Sequence, residues 1–319
     1  MEIIDLEQLL LNVFKEDFNR NKRYSYISQL TVIAIKALMP MVDEHGIRID
    51  YTRFVEELKL WVSYRNGENS SLLNTQGRVN PDIYWKEKDD SIISRIIPLV
   101  LVNQEYRVIE EEVIKNVMFS TGNLQSLFDS IYTGYLLYLV LNKEENIIDK
   151  LKENAIGFSQ REFIDKYKKY YRIEILDYPG KFKIEFEKER IHLLNTLNGI
   201  KSNRFVYLED CIDVLNKVEL ETFIGSILYD FMYLQNREYD IPKFYTNLGN
   251  YVLRLRKSRI DPAQLVIKEY ILPDVFSYTE GEIFFHSLLG DTKVIKKEVK
   301  GNSLTSLVQT KTGMYLFKR

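Results

Sequence analysis

Tyr26-Ile-Ser-Gln-Leu-Thr-Val-Ile-Ala-Ile-Lys-Ala-Leu-Met-Pro-Met41 is the stretch that decides the fold. Its apolar positions fall at Ile27, Leu30, Ile33/Ala34, Ala37/Leu38 and Met41, which is one face of a 3.6-residue period. The spacing predicts an amphipathic helix. Phe54, Leu58, Trp61 and Val62 continue the pattern in the next segment. A further helix is read from Asn123 through Leu124, Leu127/Phe128, Ile131, Tyr135 and Tyr138/Leu139, and another from Glu219 through Phe223/Ile224, Ile227/Leu228, Phe231 and Leu234. With 14 glycines and 7 prolines in 319 residues, turn-formers are too sparse for an all-β sandwich. The fold class that follows is mostly α.

The period changes twice. Between Tyr170 and Phe186 the runs Arg172-Ile-Glu-Ile-Leu and Lys181-Phe-Lys-Ile-Glu-Phe alternate around Tyr178-Pro-Gly, the pattern of a hairpin or of two extended segments. After Asp261-Pro262, the segments Glu282-Ile-Phe-Phe-His, Lys293-Val-Ile-Lys-Lys-Glu-Val and Gly313-Met-Tyr-Leu-Phe are short, β-prone and separated by Gly-Asp and Gly-Asn turns. The organisation read from this is a helical domain over residues 1–260 and a small β-rich C-terminal extension over 261–319.

The charge is nearly balanced, 44 Lys+Arg against 46 Asp+Glu for a net −2, so no global field draws the chain to nucleic acid or anionic lipid. A hydrophobic content of 45% is that of a folded protein. The start, Met1-Glu-Ile-Ile-Asp-Leu-Glu-Gln, carries acids where a secretory signal has a basic region. The longest apolar stretch, Ile131 to Leu141, is about half a membrane span and contains Thr133 and Gly134. One cysteine, Cys211, allows neither an internal disulfide nor a Cys-based zinc site. The expectation is a cytoplasmic protein without membrane contact.

Three stretches resemble the ADP-ribosylglycohydrolase family. Ser25-Tyr-Ile-Ser-Gln-Leu-Thr-Val-Ile-Ala-Ile-Lys-Ala-Leu is similar to the helix that the family opens with Thr-Asp-Asp-Thr-Gln-Met, which a Trp-containing helix like Phe54–Trp61 follows. Ser91-Ile-Ile-Ser-Arg-Ile-Ile-Pro-Leu-Val-Leu resembles the family's Gly-Asn-Gly-x-x-Met-Arg-x-x-Pro-Leu helix, with Arg95, Pro98 and Leu99 matching and the Gly-Asn-Gly loop missing. Downstream, Phe119-Ser-Thr-Gly-Asn stands where the family has Thr-His and then a long helix. Val218-Glu-Leu-Glu-Thr-Phe-Ile-Gly-Ser-Ile-Leu, followed by Asp240-Ile-Pro-Lys-Phe, resembles the family's Asp-x-Asp-Thr helix and its downstream Ile-Pro. Together they span roughly residues 24 to 258 in the family's order, and they imply a compact helical domain of that family, with the β-rich tail an addition to it.

The resemblance also implies a chemistry, hydrolysis of an ADP-ribosyl N- or O-glycosidic bond with two magnesium ions. Magnesium requires carboxylate and water oxygens, and a two-metal site needs several carboxylates converging from different helices. Matched residue by residue, the first aspartate pair falls on Tyr26 and Ile27, which cannot ligate a hard cation. Ser25 and Ser28 keep hydroxyls at the flanking threonine positions. Glu219 and Glu221 stand for the second pair and Thr222 for its threonine. No glycine precedes Gly46, so a phosphate-cradling loop ahead of Ser25 would be strained. The leading expectation is therefore a catalytically degenerate relative that binds a nucleotide-like molecule or a protein partner, needs no cofactor, and keeps Ser28 and Arg95 in the old cleft. The alternative is a divergent metal-dependent hydrolase of ADP-ribosyl or related bonds, with Glu219, Glu221 and Thr222 holding magnesium.

Other candidates have plainer readings. His45, His192 and His286 lie far apart and lack the His-Glu-x-x-His spacing; a structural role is expected of each. Asp89-Asp90 reads as a helix cap, Arg254-Leu-Arg-Lys-Ser-Arg259 as the solvated end of a helix, and Lys293, Lys296, Lys297 and Lys300 as edge-strand lysines. Tyr132, Tyr135 and Tyr138 have helical spacing and read as core or interface surface rather than a nucleotide cage.

Overall fold

The computed structural model describes residues 3–41, 46–234, 240–301 and 303–319. The deciding stretch forms α2 (Tyr26–Lys36), capped at its start by Ser25, whose hydroxyl accepts from the Ile27 N–H. The helix stops earlier than the apolar stripe. Proline at position 40 disfavours helical backbone at Met39 and has no N–H to donate. Leu38–Pro40 is instead a strand, β1, paired antiparallel with β2 (Ile47–Ile49). The first helix, α1 (Ile3–Asn21), precedes them; α3 (Tyr51–Trp61) follows, capped by Asp50, and then come the short α4 (Ser70–Leu73) and α5 (Pro81–Lys86).

The centre of the body is α6 (Ile92–Val102), all eleven residues of which are buried, Pro98 included. A helix apolar all round has no solvent face to show and has to be surrounded. Around it pack α2, α7 (Tyr106–Ser120), α8 (Leu124–Leu141) and α14 (Lys243–Arg256). Asn123 caps α8 through the Ser126 N–H, as its sequence suggested. Gly122, just before, has no room for a side chain: a Cβ there would lie 2.4 Å from the Trp85 ring. α9 (Ile147–Gly157), α10 (Gln160–Tyr167), α11 (Phe182–Leu197) and α12 (Val206–Leu215) complete one flank. α1 turns Leu9, Leu10, Val13 and Phe14 inward and packs against α13 (Phe223–Tyr233) and α14, elements from the other end of the chain. Asn12 Nδ2 donates to the Ile227 carbonyl at 3.2 Å, and Lys15 meets Asp230 at 3.0 Å across 215 residues.

The expected hairpin around Tyr178-Pro-Gly does not form. Two short 3₁₀ turns lie at Lys168–Tyr170 and Ile175–Asp177, and Lys181 onward is helix α11. Phe182, Phe186, Glu189, Leu193 and Leu197 make its buried face, while Ile184 stands exposed. The local alternation was a fragment of a 3.6-residue period, cut short by the window in which it was read. The helix expected from Glu219 also starts later, at Phe223. Thr222 is its cap, its hydroxyl accepting from the Gly225 N–H at 3.2 Å.

The β-rich tail is an antiparallel meander in the order β3 (Ile283–His286), β4 (Gly290–Lys300), β5 (Ser303–Thr310) and β6 (Gly313–Lys318). It docks on the body. The Lys318 N–H donates to the Ser63 carbonyl at 2.7 Å, and the Tyr64 ring meets Tyr315 and Phe317. Lys36, half-buried between body and sheet, pairs with Glu57 at 2.5 Å and donates to the Leu288 carbonyl at 2.8 Å. Lys293 lies where β4 is flanked on both sides, which corrects its reading as an edge residue. Lys296 and Lys300 are exposed on β4 where β3 no longer pairs with it, whereas Lys297 is half-buried and donates to the Phe276 and Tyr278 carbonyls at 2.6 and 3.1 Å, which corrects its reading as an edge residue too. Among the described residues, no helix is long and apolar enough to cross a membrane.

Candidate functional site

The two hydroxyls that flank the first motif are engaged by an acid the sequence reading missed. Asp17, wholly buried on α1, sits at the N-terminus of α2. It accepts from the Ser25 N–H at 2.8 Å, the Ser25 hydroxyl at 2.5 Å, the Ser28 N–H at 3.2 Å and the Ser28 hydroxyl at 2.5 Å, and Asn21 Nδ2 adds a fifth bond at 2.8 Å. A carboxylate there meets free N–H groups and the positive end of the helix dipole. Ser28 is thereby held by the protein itself. The signal for Asp17 was weak, one acid eight residues upstream in an ordinary amphipathic helix.

Tyr26 and the segment just ahead of α6 meet. The Tyr26 hydroxyl donates to Asp90 Oδ2 at 2.9 Å, and the Tyr207 hydroxyl, from the first turn of α12, donates to the Asp90 carbonyl at 2.8 Å. Three helix starts, those of α2, α6 and α12, thus converge on Asp90. Gly67 closes over the Tyr26 ring: its φ is +116°, and a Cβ would lie 2.5 Å from Tyr26 Cδ1. Only glycine fits both demands. Burial first, and then the neighbouring Asp90 charge, push the Tyr26 phenol above its ordinary pKa, so it stays a donor. Ile27 lies beside it, half-buried.

Beneath Asp90 is an enclosed ion pair. Arg95 and Asp89 have no exposed side-chain surface, and Arg95 Nη2 lies 2.6 Å from Asp89 Oδ2. The remaining Arg95 donors go to Asn116 Oδ1 at 2.8 Å, the Ser91 hydroxyl at 2.7 Å and the Ser120 hydroxyl at 3.0 Å. Arg95, expected in a cleft, is instead sealed in the core with its guanidinium spent on internal acceptors. Asp89 also accepts from the Ser91 N–H at 3.0 Å, but the cap position of α6 is Ser91, which corrects the reading of Asp89-Asp90 as the cap itself.

A second buried acid, Asp129 on α8, accepts from the backbone N–H groups of Tyr207 at 3.2 Å and Leu208 at 2.8 Å. Burial outweighs those bonds and raises its carboxyl to about 7. A raised carboxyl stabilises the fold fully below the unfolded value of about 4 and loses that contribution as pH climbs through 7. Asp129→Asn is therefore expected to flatten the decline in stability between about pH 4 and 7, read from urea midpoints across that range. An unchanged slope would assign the decline elsewhere.

Glu219, Glu221 and Thr222 lie apart from this cluster in chemistry. All three are exposed on the segment ahead of α13. The Thr222 hydroxyl serves the Gly225 N–H, and the Glu221 carbonyl accepts from Arg20. An arginine against that backbone repels a divalent cation, and two exposed glutamates supply few of the six oxygens magnesium needs. The donor set does not suit a binuclear magnesium site. Among the described residues, no three His, Cys, Asp or Glu side chains are grouped as metal ligands would be.

The remaining candidates take structural places. His286 is buried in β3, its Nδ1 accepting from the Leu288 N–H at 3.1 Å, and burial with Lys36 nearby lowers it to about 4. His192 is half-buried on α11, and His45 lies outside the described residues. Arg256 donates to the Leu101 and Asn103 carbonyls at the end of α6, at 2.9 and 2.5 Å. Tyr132 is core, and Tyr135 stacks on Tyr106 at 4.0 Å.

On the other side of α2 is a cavity of about 440 Å³, formed between the helical body and β6. Ser28 and Gln29 are on its wall; Tyr24, Tyr64, Phe244, Tyr245 and Tyr315 surround it, and Arg23 is exposed at its rim. Tyr24 and Tyr245 hold each other at 4.4 Å between ring centres. No sequence signal marked this site, because its rings come from four separate segments.

Compared with known proteins, the chain matches no family model, no curated protein and no solved structure.

Proposed function

We propose that this chain is a binding module, a catalytically degenerate relative of the ADP-ribosylglycohydrolases, and that its ligand is a nucleotide-like small molecule held in the cavity between α2 and β6. The observation that carries the reading is the cavity itself. Its volume of about 440 Å³ suits a small ligand. Five aromatic side chains line it, and ring faces accept any nucleobase. The Arg23 guanidinium at the rim has the geometry for phosphate. The relationship to the family is part of this proposal and rests on the three sequence stretches.

The test is calorimetry with ADP-ribose and with adenosine. Arg23→Ala, an exposed substitution, is expected to weaken ADP-ribose roughly tenfold and leave adenosine unchanged, the loss of one charge-assisted contact. Binding of neither ligand by the native chain would end the reading. Turnover of an ADP-ribosylated peptide with magnesium, abolished by Glu221→Ala, would restore the hydrolase alternative.

A further inference from the structure

The aromatic cavity lies along a strand edge rather than under a sheet face. Gly313, Met314, Tyr315 and Leu316, consecutive residues of β6, all line it. Side chains in a strand point alternately to opposite faces, so a cavity touched by four in a row runs beside the strand. For Gly313 the touching surface is the main chain itself. β6 is the last strand in the order β3-β4-β5-β6, and its far side has no neighbour in the sheet.

The direction of the main-chain groups on that side follows from the register. Arg319 and Leu304 exchange both of their N–H···O=C bonds. By the antiparallel alternation Phe317 and Tyr315 also turn toward β5, while Lys318, Leu316 and Met314 turn away from it. Lys318 agrees, since its N–H reaches the Ser63 carbonyl on the body. Among the described residues, nothing bonds the outward N–H and C=O groups of Leu316 and Met314. Both residues are open to solvent, 43% and 52% exposed. Free edges are ordinarily blunted by proline, by a bulge or by charge. Gly313-Met-Tyr-Leu-Phe317 carries no proline and no charge, and its pairing with β5 has no register shift.

We infer that β6 takes an added antiparallel strand from an extended acidic peptide lying in this cavity. Main-chain bonds to the edge supply affinity, and alternate side chains supply selectivity. Directly paired residues place their side chains on one face, so the peptide residues bonded to Leu316 and Met314 share the face of Lys318, which is exposed. With Arg23 at the rim, that charge selects acids at those positions. The intervening residues share the face of Tyr315, which the Tyr64 ring meets, and ring surface there favours apolar side chains. The peptide is a second ligand class for the cavity and stands apart from the small-molecule reading.

The experiment titrates the full chain with acetyl-Val-Glu-Val-Glu-Val-amide, read by calorimetry. Saturable binding is expected. N-methylation of both glutamates removes the donors aimed at β6 and is expected to weaken binding roughly tenfold or more. N-methylation of the central valine, whose N–H points away from β6, is expected to leave affinity unchanged. Leu316→Pro strips the matching donor from the protein at a strand edge, where proline is tolerated, so thermal stability is retained while peptide affinity falls. Absence of saturable binding by the native chain, equal affinity for the two methylated peptides, or full affinity in Leu316→Pro would each overturn the inference. So would a dimer that Leu316→Pro dissolves, since the edge would then belong to a second copy of the chain. ADP-ribose titrated against the same native chain reads the small-molecule reading separately, so either ligand can fail alone.

Discussion

Arg95→Leu is expected to cost about 3–5 kcal/mol, because it strands the Asp89 carboxylate in the core with no cation beside it. Asp89 has no exposed side-chain surface, and Ser91 and Asn69 cannot offset its charge. Removing both charges together, as Asp89→Asn with Arg95→Met, is expected to recover much of the loss, since the pair's own desolvation cost disappears with it. Urea midpoints of the two single variants and the double variant measure this. The pair also sets an acid limb. Burial alone would raise Asp89, but the Arg95 charge and the hydrogen bonds from Arg95, Ser120 and Ser91 outweigh it and hold the carboxyl at about 2. A lowered carboxyl contributes its stability above the unfolded value of about 4, and that contribution goes as pH falls toward 2. Asp89→Asn is expected to lack that limb. A single variant at native stability would mean that water reaches the pair.

Asp17→Ala is the second large effect, at about 3 kcal/mol or more. Five donors converge on this one buried carboxylate, and its loss leaves two hydroxyls and two helix-start N–H groups unmet inside the protein. Asp17→Asn keeps one acceptor oxygen and gives up the charge at the α2 start, so it should fall between the native chain and the alanine variant. Chemical denaturation orders the three. Because Ser28 is on the wall of the aromatic cavity, Asp17→Ala is also expected to weaken any ligand held there. Equal stability of the three would show that α2 starts without help from α1.

What the sequence made legible follows from how local each cause is. The start of α8 was readable, since Asn123 and the stripe from Leu124 lie within one turn of the effect they produce. Three of the tail's four strands were readable from the turn glycines between them, and β5 was not. The stripe from Ile27 to Met41 overran its helix because apolar spacing is blind to Pro40, whose backbone constraint ends α2 at Lys36. The run from Phe182 to Phe186 misled because five residues cannot separate a period of 2 from 3.6 when the phenylalanines sit four apart. The site was less legible than the fold. Asp17, Asp90 and Tyr207 meet across α1, α2, α6 and α12, and nothing in a linear pattern records that meeting. Arg95 was marked by resemblance alone, and its partner Asp89, six residues away, was assigned only to capping.

The position of α1 fixes the order of events during synthesis. Its inward face, Leu9, Leu10, Val13 and Phe14, finds cover on α13 and α14, and the bonds of Asn12 and Lys15 to α13 reach 215 residues downstream. At roughly 5–20 residues per second of translation, that leaves the first helix waiting on the order of ten to forty seconds for its partners. Throughout that interval a leucine-rich stripe faces the solvent of the nascent chain, the kind of surface that holdase chaperones occupy. The delay is a property of topology, and no gain in native stability shortens it.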